Sequence, residues 1–131
     1  MKDTIQLKDI KKVNIEFIPH KNQRYETSGD YWIDDDDTVQ FRISIFENPF
    51  YALYILIHEI AEFWRVMRKG ISVKDIDKFD MDHPELDDPG MSMEAPYHDE
   101  HMRSITIERI MYMQDGGTDF EEYYNSEPIR E

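Results

Sequence analysis

The chain has 131 residues, with 15 Lys and Arg against 29 Asp and Glu, and its net charge of −14 repels a phosphate backbone, which excludes ordinary nucleic-acid binding. It contains no cysteine, so disulfide scaffolds, thiolate zinc sites and cysteine nucleophiles drop out together, and a metal site has only His, Asp, Glu and water to draw on. At 40% hydrophobic and 13% aromatic residues the chain can still build one core despite a mean hydropathy of −0.73, and its length suits a single domain.

Met1 to Asp9 mixes charged and apolar residues and lacks the apolar run of a secretory signal. The longest apolar run, Phe50 to Ile57, falls far short of the roughly 20 residues that span a bilayer. A cytoplasmic protein without membrane contact is expected. From about Asp9 to Glu47 the pattern is β: Val13 to Phe17 and Val39 to Ile45 alternate apolar and polar residues, as half-buried antiparallel strands do. Gln23 to Thr27 and Tyr31 to Ile33 read as further strand pieces, with Ser28-Gly29-Asp30 as a turn. Asp34 to Asp37 reads as a solvated hairpin tip, because the glycine and closing glutamate of an EF-hand loop are missing.

At Asn48-Pro49 the period changes. Asn is a good N-cap, Pro suits the first helical position, and a helix is predicted from Pro49 to Lys69, ending on Arg68, Lys69 and a Gly70 cap. Apolar nearly all round, it is expected to be largely buried. Ile71 to Ala95 shows no sustained period and reads as a long acidic loop, with a helical turn at Val73 to Phe79. A second helix follows from near Pro96 to about Gln114, stopped by Gly116-Gly117. The predicted fold is α+β, a small antiparallel sheet packed on two main helices. Residues 1–115 form the one domain, and 116–131 form an acidic C-terminal tail that is frayed or loosely docked.

The first helix carries His58-Glu59-Ile60-Ala61-Glu62, an H-E-x-x-E string between apolar flanks. At about 100° per residue, Glu62 lies roughly 40° around the helix from His58 and Glu59 roughly 100°, so all three share one side. Two carboxylates and an imidazole then leave water together. They need a compensating charge, which Arg65 or Arg103 can supply as an ion pair and a divalent metal supplies better. On the second helix His98, His101, Ile105, Glu108 and Tyr112 fall within roughly an 80° sector. Facing each other, the helices can offer His58, Glu62 and His101 as metal ligands, two imidazoles and a carboxylate with a fourth position open, as in catalytic zinc sites. Glu59, beside a ligand but angled away from it, is then placed to act on a water at the metal. His98 is a candidate for a supporting or oxyanion-side role. His20 and His83 read as ordinary loop histidines, and Tyr54, Met67, Met102 and Met111 as core.

The strands, the helix bearing His58-Glu59-x-x-Glu62, then Pro96-Tyr97-His98, Glu100-His101 and Ile107-Glu108-Arg109, resemble a family of small phage and prophage proteins that in turn resembles a minimal zincin, the fold of zinc metallopeptidases. The likeness covers about residues 39 to 114. It implies a zincin-like fold, His58 as the first zinc ligand and Glu59 as the general base. Glu62 departs from H-E-x-x-H; with His101 it restores a His-His-Glu set whose ligands are exchanged in chain order. The resemblance also makes the Val39 to Ile45 strand an edge for an extended peptide.

The resulting expectation is a zinc-dependent hydrolase of peptide or amide bonds, with Glu59 taking a proton from water and passing it to the leaving amine. Tyr97, Tyr112, His98 or Arg103 are the candidates to steady the oxyanion. Two other classes stay open: a non-catalytic acidic interaction protein, with a structural metal site or a buried ion network and a host factor as partner, and a non-haem iron enzyme, whose facial triad uses the same ligand types. A serine hydrolase is excluded, because Gly90-Met91-Ser92-Met93-Glu94 lacks the second glycine of a nucleophile elbow.

Overall fold

The computed structural model describes residues 1–130. Three strands, β1 (Lys12–Ile18), β2 (Gly29–Ile33) and β3 (Thr38–Ser44), form one sheet in the order β1-β3-β2. β2 and β3 pair antiparallel across the tip at Asp34–Asp37, where the Asp34 carboxylate accepts from the N–H groups of Asp36 (2.9 Å) and Thr38 (3.1 Å). The aspartate run therefore shapes a turn through its own backbone. β1 runs parallel to β3, with Ile15 beside Phe41, so the sheet is mixed and not antiparallel. Alternation marks which residues share a face and is blind to strand direction. The segment after β1 carries the chain to the far edge, and β3 returns between its two neighbours. Paired on both sides, β3 offers no edge to a peptide.

Helix α1 (Pro49–Lys69) starts where expected, with the Asn48 side chain accepting from the Phe50 N–H at 3.0 Å. It ends on Gly70 at φ 72°, and the Ile71 N–H bonds the Val66 carbonyl at 3.0 Å, the closure that a left-handed residue allows. Phe63, Val66 and Met67 pack on Tyr31, Ile33, Val39 and Phe41. The rings of Tyr31, Phe41 and Phe63 meet tilted or edge-on. Burial is not all round, however. Phe50, Leu53, Ile60 and Trp64 stand exposed on α1, and Val13, Ile15 and Phe17 on β1.

The segment expected as a loop contains helix α2 (Val73–Asp82), capped by the Ser72 hydroxyl and anchored in the core by Val73 and Ile76. Two apolar anchors three residues apart are too few to establish a period. Helix α3 (His98–Gln114) lies along α1. The tail is not loose: helix α4 (Phe120–Tyr124), capped by Asp119, buries Tyr123 against Tyr51, Tyr54 and Tyr112. Glu131, the last residue of that tail, lies outside the described residues. Among the described residues no helix is long and apolar enough to cross a membrane.

Replacing Tyr123 by Ala is expected to lower the unfolding free energy by roughly 3–5 kcal/mol, the range for deleting a buried aromatic ring. Urea denaturation checks it. A loss below about 1 kcal/mol, within the scatter of surface substitutions, would return the tail to a loosely held segment.

Candidate metal centre

His58 and Glu62 stand one turn apart on α1, and His101 reaches them from α3. All three are buried. Glu62 Oε2 lies 2.9 Å from His58 Nε2 and 2.8 Å from His101 Nδ1, and the two ring nitrogens are 3.1 Å apart. Three donor atoms therefore converge on one point.

What stands behind them fixes their chemistry. His58 Nδ1 meets Glu108 Oε1 at 2.8 Å, and His101 Nε2 meets the Asp88 carboxylate at 3.1–3.2 Å. A carboxylate only accepts, so in a neutral ring the proton sits on the far nitrogen and the near nitrogen presents a lone pair to the cluster. Tyr31 donates to Glu62 Oε1 at 2.9 Å, Tyr123 donates to Glu108, and Tyr124 donates to Asp88. Each of the three central residues is thus oriented from behind. Gly90 lets the loop pass against His101, since a Cβ there would overlap the imidazole.

Three lone pairs cannot rest at these distances without positive charge between or upon them. Either both rings take a second proton or one divalent cation sits among them, and each solution supplies two positive charges to the Glu62, Glu108 and Asp88 carboxylates. With protons, burial disfavours the His101 cation, but Asp88 and Glu62 outweigh it and raise the ring to about 9. His58 is likewise raised by Glu108 and Glu62 against the cost of burial. Burial also opposes ionisation of Glu62, yet the two imidazoles hold its carboxyl down at about 2.

Glu59 behaves in the opposite way. Its Oε2 is 3.9 Å from His58 Nε2, and among the described residues its side chain accepts no hydrogen bond. Burial, then the Glu62 charge, push its carboxyl well above the usual range, with His58 and His101 pulling the other way. Gly29 backs it so closely that a Cβ there would lie 2.7 Å from Oε1. Glu59 and the three central residues line a cavity of about 660 Å³, whose far wall carries Asp77 and Asp80. Arg24 bridges Asp30 (2.8 Å) and Asp77 (3.0 Å) beside it, and Tyr25 and Tyr97 both donate to Asp80, whose carboxyl burial lifts to about 6.

The other expected residues fall elsewhere. His98 stays outside the cluster and donates to the Gly90 carbonyl at 2.9 Å. His20 is no ordinary loop histidine, being buried between Ser44 Oγ (2.8 Å) and Glu26 (3.0 Å), whereas His83 stacks on Phe79. Glu62 pairs with neither Arg65 nor Arg103: Arg103 is exposed and the Arg65 Nε is buried without a partner. Tyr97 and Tyr112 spend their hydroxyls on Asp80 and the Asp119 carbonyl. Tyr54 and Met67 are core as expected, but Met102 is exposed. Glu108 was visible on the inner face of the second helix, seven residues after His101. Tyr31, Asp88, Tyr123 and Tyr124 had no signal, because they reach the cluster through tertiary packing of segments that look like strand, loop and tail.

No family model matches the chain, and neither a curated protein nor a solved structure matches it. The resemblance to phage and prophage zincin-like proteins is corrected accordingly. What the H-E-x-x-E string marks is part of a spatial His/Glu/His cluster completed by a separate helix.

In the metal-free protein His101 binds its proton more tightly folded than unfolded, so its contribution to stability is full below about pH 6.5 and is lost as the pH rises through about 9. Urea titrations at a series of pH values are expected to show this decline, and His101→Gln to flatten most of it. A wild-type profile already flat over that window would show that the folded ring holds no extra proton.

Proposed function

We propose that the chain is a divalent-metal-binding protein, with His58 Nε2, Glu62 and His101 Nδ1 as ligands and zinc as the ion that two imidazoles and one carboxylate suit best. The convergence of three lone pairs, each backed by a carboxylate or phenol that only orients it, carries this reading. The role that follows most directly is non-catalytic. One ion would join α1 to α3 at the point where both bury charge, and the acidic surface would be left free for a partner.

A second reading, hydrolysis of a peptide or amide bond, is favoured by Glu59, an unpartnered carboxyl beside the ligands that lines an open cavity. Zinc held there would supply Lewis acidity to a carbonyl. Glu59, its carboxyl raised by burial, would take a proton from water in the cavity and hand it to the leaving amine.

Mass spectrometry of the purified chain for metal content is expected to find one divalent ion per chain, lost in His58→Ala and His101→Ala. It should be reduced in Gly90→Ala, whose methyl meets the His101 ring. Metal-free wild type in zinc-replete buffer would leave the protonated ion network as the correct description. Glu59→Gln separates the two roles, because the amide keeps the ligands and nearly the same volume. If hydrolysis is real, cleavage of a mixed peptide library should fall about 10²- to 10⁴-fold with the ion retained. Metal-loaded wild type that cleaves nothing would leave the ion structural.

A further inference from the structure

Val13, Ile15 and Phe17 lie in register with Val39, Phe41 and Ile43, so they share the face of the sheet that α1 covers. α1 packs chiefly over β2 and β3, and Val13, Ile15 and Phe17 of β1 stand exposed. On α1 itself, Phe50, Leu53, Ile57, Ile60 and Trp64 follow a three-four-three-four spacing and fall within about 80° of the helix surface. That sector faces away from Glu62. β2 lies beneath Glu59 and Glu62, since Gly29 abuts one and Tyr31 bonds the other, and the sheet order places β1 at the opposite edge. This placement sets the apolar stripe of α1 and the apolar row of β1 on the same flank of the molecule, away from the charged cluster.

Ile57 apart, these residues are between 38% and 60% exposed. At roughly 200 Å² for a large apolar side chain, about half of it open, they present on the order of 600 Å². That is at the upper end of the largest apolar patch on a typical monomer and approaches the ~800 Å² per partner of a standard interface. β1 is moreover an edge strand, with its outer backbone groups unpaired among the described residues.

We propose that this face is a homodimer interface, with a second copy of the chain as its occupant. Charge selects that occupant. The chain carries −14 overall, yet the only acids of α1 are Glu59 and Glu62, both turned into the metal centre, while Arg68 borders the stripe and the β1 row ends near Lys11 and Lys12. A basic partner gains nothing here that the acidic surface elsewhere does not offer better. A second copy meets an apolar face as free of acid as its own, where two chains of this charge can approach without acidic groups opposed. Two-fold closure also hides both edge strands at once.

Sedimentation equilibrium of the full chain should return twice 15.8 kDa, and higher salt should tighten the dimer by screening the remaining repulsion. Ile15→Lys and Trp64→Glu, both at exposed positions, should each give a monomer with unchanged circular dichroism and metal content. Because the chain has no cysteine of its own, Ile15→Cys offers a second readout. Ile15 is at the middle of the β1 row, and in a dimer whose two β1 edges meet antiparallel it should yield a disulfide-linked dimer on mild oxidation, whereas Glu85→Cys in the acidic loop should not. A wild type that stays monomeric at 100 μM or so, about a hundredfold above a micromolar Kd, overturns the proposal. So does a dimer whose mass neither charge substitution changes.

Discussion

Everything around the α1–α3 contact depends on one electrostatic demand: carboxylates taken out of water there must be given about two positive charges in return. Glu62, Glu108 and the half-buried Asp88 crowd two buried imidazoles, and none of the three carboxylates finds an arginine. Removing any one partner strands the others, a far costlier event than the pair's net contribution to stability. The surrounding phenols are arranged to suit. Tyr31 comes from β2 and both Tyr123 and Tyr124 come from α4, and each donates to one of these carboxylates. The acidic loop and the tail are docked because this polar shell needs their donors and acceptors, in addition to the apolar area they cover.

Glu59 and Glu62 show how far environment separates two identical side chains three residues apart. Glu62 points between two imidazoles, which hold its carboxyl down at about 2; Glu59 is buried without a donor and is driven toward its neutral form. Their positions on the helix differ by about 60°. That rotation divides a carboxylate held ionised between two imidazoles from a carboxyl driven toward its neutral form, the type of contrast from which acid–base sites are built.

The local signals were legible in the sequence. Asn48-Pro49 and Gly70 bound α1 as the sequence predicts, and the 40° step from His58 to Glu62 with an inward-facing His101 predicts the grouping of the three central residues that the fold shows. Direction and docking were not legible. The period-two pattern of Val13 to Phe17 marks a face and carries no information about parallel pairing, and it gives no warning that α1 packs chiefly over the other two strands. The same limit hid α2, whose core anchors are only Val73 and Ile76, and α4, whose aromatic residues read as tail until Tyr123 is seen between Tyr51, Tyr54 and Tyr112. The His58-Glu59-x-x-Glu62 string suggested a family, but five residues carry geometry and not descent.

The parallel pairing of β1 with β3 sets the order in which the molecule can be made. β1 leaves the ribosome first but has no hydrogen-bonding neighbour until β3 follows, with β2 threaded between them in the chain. His58, Glu59 and Glu62 emerge next and remain hydrated until α3 and then α4 arrive to enclose them, since such non-local closures are late and slow events in folding. The nascent chain thus passes through an interval in which β1, paired on one side only, and the apolar side of α1 are displayed while the charged centre stays open to water. The interval ends only when α3 and α4 dock and the interior closes.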